Sequence, residues 1–282
     1  MKLQHGKPLP GEKDLFHPRE HEHLSPYRSY FFGRFRVFHQ ERSLGESFRR
    51  RNKAGMLLKW FLLNPGQPGS VDEFIDLFWS EVAPQTALGN FHVTMHYLRR
   101  MLEPGLKERQ KSAFIHREPN NFYWFESNDA WWTDISCVQN AFERARKYEA
   151  LGEEARATFY YRQVASYGNA GFLPEDSAAD WLLPYRQHYT HIYSQTLLRL
   201  IQLYTRREDL EEVLEYAYQF LRLDPCNEVA IKAIVNVYLQ RGNIFLAQRL
   251  LGAFWDSYER ELGFYPGKEF SALRERVFAA NN

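Results

Sequence analysis

From Tyr30 onward apolar and polar residues alternate. Phe35 and Val37 fall on one face of the run and Arg34, Arg36 and Phe38 on the other, the period-two pattern of a β-strand. A second short strand is expected over 42–48, after a turn. The apolar run 56–63 is helical in length and stops at Asn64-Pro65-Gly66. Ser70, with Glu73 three residues on, has the form of a capping box that opens a helix over 71–79, with Phe74, Ile75 and Phe78 at core spacing. After a loop through Pro84, a third helix is expected over 86–103. Leu88, Phe91, Met95, Leu98 and Leu102 form one apolar stripe along it, leaving Asn90, Val93, Tyr97 and Arg100 on the opposite face and His96 on its flank. Pro104-Gly105 ends this helix. Two strands follow, over 113–117 and 122–125, joined by Glu118-Pro119-Asn120-Asn121, whose asparagines tolerate the positive φ that such a turn needs.

The second half of the chain repeats. A shift of 34 residues superposes Leu197 on Ile231, Leu200 on Ile234, Tyr204 on Tyr238, Leu210 on Ile244, Val213 on Ala247 and Phe220 on Phe254. Asp209 falls on Asn243 in the same shift, which sets both in the turn between paired helices. This period is that of tetratricopeptide-like helical hairpins. Tyr148 and Gly152 repeat the spacing of Tyr238 and Gly242, so a third, degenerate unit is expected over about 138–166. The stretch 167–177, with Gly168, Gly171 and Pro174, interrupts the array. The expected fold class is therefore mainly α with a small β component: a winged helix-turn-helix domain over 29–133, then an α-helical tetratricopeptide-like domain over 134–282.

Charge sharpens this division. The 282-residue chain has a net charge of only +1, but residues 1–133 hold 19 Lys and Arg against 15 Asp and Glu, while 134–282 hold 17 against 20. The surface suited to a polyanion is N-terminal. Residues 1–28 carry four prolines and no apolar periodicity and read as a flexible arm; His17, His21 and His23 within it complete no metal-ligand geometry. Cys137 and Cys226, far apart and outside any paired spacing, indicate neither disulfides nor a zinc module and so a reducing, cytoplasmic compartment. No apolar run approaches the length of a membrane span.

No phosphate-binding loop, nucleophile elbow, dinucleotide fingerprint or metalloprotease motif is present, so neither an enzyme nor a cofactor is expected. The residues that suit nucleic acid lie on the third helix (Asn90, Val93, His96, Tyr97 and Arg100) and in the basic run that includes Arg50 and Lys53. In the second half, Arg162, Arg186 and Arg206 with Trp181 and Tyr185 combine guanidinium groups with aromatic rings, which suits an anionic effector or a partner protein.

With both halves in place, the chain resembles the SARP-type regulators (the streptomycete antibiotic regulatory protein family), which join a response-regulator-type winged helix to a bacterial transcriptional activator domain. The resemblance runs from about Tyr30 to about Phe270. It rests on Leu62-Leu63-Asn64-Pro65-Gly66, on the segments 70–79 and 90–104, and on Asp134, Trp181, Leu223-Asp224-Pro225, Glu228-Val229-Ala230 and Glu261-Leu262-Gly263 with Pro266. It implies that helix 86–103 enters the major groove of promoter DNA and that the hairpin at 116–121, with Arg117 and Asn120, touches the adjoining minor groove. Two features depart from the family pattern: the hairpin turn lacks its usual glycines, and the outward face of the helix is thin in arginine. Two readings stay open. In one the chain binds promoter DNA and recruits RNA polymerase or another regulator, with the repeats serving homodimerisation or signal input. In the other it is a receptor or adaptor for an anionic second messenger such as a cyclic dinucleotide, and the winged helix is a docking platform.

Overall fold

Two consecutive phenylalanines break the alternation at the start of the chain. Phe31 and Phe32 are both buried, and the backbone turns at Gly33, where φ is +84°. The computed structural model describes Glu22 and residues 24–107, 110–263 and 267–279, with the backbone alone of Arg49, Arg50, Leu262 and Glu269. The histidines 17, 21 and 23 lie outside these residues. In place of one strand from Tyr30 there are two, β1 (Tyr27–Tyr30) and β2 (Arg36–His39), antiparallel with Ser29 opposite Val37. The second strand expected over 42–48 shrinks to β3 (Arg42–Ser43), because helix α1 (Gly45–Arg50) begins at once. Tyr27 and Arg28, ahead of the boundary drawn at residue 29, are buried members of β1.

The chain divides into two units, the β-containing one of which runs to Ser136 and then takes in a distant segment, Leu173–Leu183. Its helices are α2 (Asn52–Leu63), α3 (Val71–Trp79) and α4 (Pro84–Leu102). The capping box at Ser70 is formed in both directions: the Ser70 hydroxyl accepts from the Glu73 N–H at 3.1 Å, and the Glu73 carboxylate accepts from the Ser70 N–H at 2.7 Å. Pro84 is the first residue of α4 and not part of the preceding loop, a position where its missing N–H costs nothing. The wing is a three-stranded sheet in the order β4 (Gly69–Ser70), β6 (Phe122–Phe125), β5 (Ile115–Arg117), closed by Asn121 at φ +61°. A second sheet has the order β3-β2-β1-β7, where β7 (Trp131–Thr133) pairs in parallel with β1. Phe61, Phe74, Phe91 and Phe125 are fully buried and form an aromatic core in this unit.

The Leu173–Leu183 segment is a strap across this unit. Leu173 is buried and its N–H donates to the Phe31 carbonyl at 3.0 Å. The Glu175 carboxylate accepts from the Phe35 N–H at 2.8 Å, Asp176 pairs with the buried ammonium of Lys59, and Trp181 packs edge-on against Phe78 with centroids 5.6 Å apart. The domain that carries the wing is therefore not one contiguous stretch of sequence.

The other unit is helical, built from α5 (Asp134–Ala150), α6 (Glu154–Gly168), α7 (Leu183–Arg206), α8 (Leu210–Leu223), α9 (Glu228–Gln240), α10 (Ile244–Leu262) and α11 (Lys268–Ala279). The first six form three hairpins that turn in the same way. In each turn the N–H that follows a left-handed residue reaches back to a tyrosine carbonyl: Glu153 to Tyr148 at 2.9 Å, Asp209 to Tyr204 at 3.1 Å, and Asn243 to Tyr238 at 2.8 Å. The left-handed residues are Gly152 (φ +73°), Glu208 (φ +59°) and Gly242 (φ +71°), so the middle hairpin makes with a glutamate the turn that the others make with glycine.

Candidate nucleic-acid interface

Helix α4 is held by one face. Ala87, Phe91, Met95, Leu98 and Leu102 are buried, with Phe91 5.7 Å from Phe74 and 5.3 Å from Tyr123 between ring centroids. Leu88, expected in this stripe, is 40% exposed. Ala87, about one turn before Phe91, takes the place on the core.

The outward face carries Asn90, Val93, His96 and Arg100, all exposed, with Val93 62% exposed. Tyr97 is half-buried. Its hydroxyl donates to the Ser47 carbonyl at 3.5 Å, and the Arg51 guanidinium stacks 4.0 Å above its ring. Arg51, Val93, His96, Tyr97, Arg100 and Met101 enclose a shallow hollow of about 390 Å³. Arg51 was absent from the sequence-based set; its signal was its place in the basic run beside Arg50 and Lys53. Lys53 is exposed near the start of α2, with its ammonium 6.0 Å from the Trp79 ring. The Arg50 side chain lies outside the described residues.

The wing is tied to this helix by Arg99, which is partly buried and donates to the Ile115 carbonyl at 3.0 Å. Burial lowers the pKa of this guanidinium, and the positive charge of Arg117 adds to the effect. Arg99 is thus a structural cation, whereas Arg100 beside it points outward. At the wing tip Arg117 donates to the Asn121 amide oxygen at 2.7 Å and lies over the Tyr123 ring at 5.8 Å, while Asn120 and Glu118 are exposed. Asn90, Val93, His96, Tyr97 and Arg100 therefore share one helix face, and Arg117 and Asn120 share the adjoining hairpin.

The arginine and aromatic residues named in the second half lie on the strap, on α6 and on α7. Trp181 belongs to the strap, and Arg206 pairs with Glu154 at 2.8 Å. Arg162 hydrogen-bonds to Tyr216, a phenol whose pKa burial raises. Tyr185 and Arg186 are half-buried in the first turn of α7. None of the five lines the large groove of the helical unit, which has a volume of about 980 Å³. Its cations are Arg146 on α5 and Arg199 on α7, joined by His188 and His191. Arg199 is 3.6 Å from Glu149, which also accepts from the Tyr161 hydroxyl at 2.7 Å. Sequence reasoning missed this groove, because its lining residues come together only when α5 and α7 are side by side. Among the described residues no group of side chains is arranged to hold a metal ion, and no helix is long and apolar enough to cross a membrane.

Residues 133–278 match the bacterial transcriptional activator domain family. The fold is similar to that of EmbR from Mycobacterium tuberculosis, solved in complex with a low-affinity phosphopeptide, with a TM-score of 0.73 at 15% sequence identity. That likeness covers 90% of this chain and 65% of EmbR, so the chain spans about two-thirds of the length of the structure it matches. No curated protein matches the sequence. The match over more than half of its length, behind a winged helix of the expected form, shows that the chain belongs to the bacterial transcriptional activator domain family.

Proposed function

We propose that this regulator binds promoter DNA with α4 in the major groove and the wing hairpin, through Arg117 and Asn120, at the neighbouring minor groove. The observation that carries this reading is the division of α4: one face is closed into an aromatic core, and the other presents polar and cationic groups with Val93 and no packing partner to justify its exposure. Arg100, Lys53 and Arg50 supply phosphate contacts. The net positive N-terminal half suits this role, and the net negative remainder does not.

The helical unit then provides control, by homodimerisation, by docking RNA polymerase or another regulator, or by sensing an effector. In the groove between α5 and α7, Arg146, Arg199 and two histidines are the groups that would meet an anionic effector, beside Glu143 and Glu149 in the same lining. A receptor in which the winged helix only docks a partner needs no outward cation at Arg100 and is the weaker reading.

Gel shifts of the full chain on genomic fragments test the proposal. Affinity should fall steeply between about 50 and 200 mM salt. Arg100→Ala should weaken binding and reduce the slope of log affinity against log salt by about one for the lost phosphate contact, with an unchanged thermal midpoint, and Arg117→Ala should weaken binding through the wing. Binding by both variants indistinguishable from wild type would remove this face as the reader.

A further inference from the structure

Glycine at position 89 has no internal reason. It lies within α4, where glycine is less favourable than alanine, and a Cβ added there would meet nothing within 4 Å. Among the described residues, no neighbouring side chain or backbone requires the missing methyl. Gly89 is exposed, one turn before Val93 on the same outward face, and Asn90, three residues before Val93, flanks them. A helix that is bare at this point can bring its backbone closer to an external surface than one carrying side chains all round.

The two neighbours have complementary chemistry. The Asn90 side-chain amide makes no hydrogen bond among the described residues; the Thr94 hydroxyl donates to its backbone carbonyl at 2.7 Å. A carboxamide presents a donor and an acceptor side by side, the pattern that matches the N6 and N7 positions of adenine in the major groove. Val93, three residues on, is 62% exposed, an apolar side chain turned to solvent with no core contact to explain it. The apolar feature of the major groove is the C5 methyl of thymine. Arginine and lysine, the bidentate partners of guanine, are missing from α4 until Arg99, and Arg99 is tied to the wing.

We propose that the face formed by Gly89, Asn90 and Val93 gives this regulator its preference for A·T pairs, with Asn90 on the adenine edge, Val93 on the thymine methyl and Gly89 supplying the clearance both need. This rests on the reading of α4 as the major-groove helix. It adds the base identity that the helix selects.

Selection of the full-length chain on a randomised duplex pool, followed by titration on substituted copies of the selected duplex, tests it. The selected site should contain an A·T pair whose replacement by G·C weakens wild-type binding about tenfold or more, and Asn90→Ala should lose that discrimination. Replacing the thymine of that pair with deoxyuridine, which removes only the methyl, should weaken wild type several-fold and leave Val93→Ala unaffected. Gly89→Ala should raise the thermal midpoint while weakening binding to the selected duplex, a combination that a structural role for the glycine cannot give. If a site is selected and binding depends on Arg100 and salt, but Asn90→Ala and Val93→Ala select the same sequence with the same discrimination, the inference fails and the DNA-binding reading stands. If no sequence is enriched and no salt-dependent binding is seen, the DNA-binding reading itself fails.

Discussion

Asp134, the first residue of α5, is buried with its carboxylate accepting the Phe31 N–H at 2.9 Å and the Phe32 N–H at 3.0 Å. Burial pushes its pKa up from 3.8 to about 7, although these hydrogen bonds and the charge of Arg36 pull it down. A carboxyl whose pKa is higher in the folded than in the unfolded chain binds its proton more tightly when folded. The stability it contributes is complete below about pH 4 and is lost as pH rises through about 7. In the Asp134→Asn variant, which cannot titrate, this loss is absent. The thermal midpoint of wild type should therefore fall relative to that variant between about pH 4 and pH 8, as read by calorimetry in a buffer series. A constant difference across the series would mean that the group stays ionised throughout.

Elements were legible where their cause is local. The capping box at Ser70, the Asn121 turn and the 34-residue repeat each rest on residues a few positions apart or on a fixed period, and the structure forms them as read. The strap was not legible, since Pro174-Glu175-Asp176 reads as a polar loop and nothing near it in sequence announces a partner 117 residues away. Leu88 was misplaced for a different reason: a hydrophobic residue at nearly the right spacing satisfies a stripe on paper, while the helix places the smaller Ala87 on the core. Of the candidate site, the outward face of α4 could be read from its apolar complement, whereas the groove lined by Arg146 and Arg199 needed the packing of α5 and α7. The strap carries its own prediction. Lys59 and Asp176 have side chains only 7% and 16% exposed, so Asp176→Ala leaves a buried ammonium without its counter-charge. That variant should lose about 3 kcal/mol or more in urea denaturation, and the double variant Lys59→Met, Asp176→Leu should recover much of it. A loss within about 0.5 kcal/mol for Asp176→Ala would show that the strap does not anchor the winged-helix unit.

For the molecule as a whole, a net charge of +1 conceals two halves of opposite sign, and the chemistry of each half agrees with its sign. The N-terminal part, with an excess of cations, presents α4 and a wing that Arg99 holds to it. The acidic remainder repeats one helical hairpin and encloses a groove. The central claim is that DNA meets α4 and the wing and not the groove. A photo-crosslinking residue at position 96, 120 or 146 of the full chain, irradiated on a duplex that the chain retains at physiological salt, tests it most directly. Position 96 should crosslink to bases through the major groove, position 120 to the adjoining minor groove, and position 146 to no DNA. Crosslinks from position 146, or none from 96 and 120 in chains that still bind the duplex, would contradict the account.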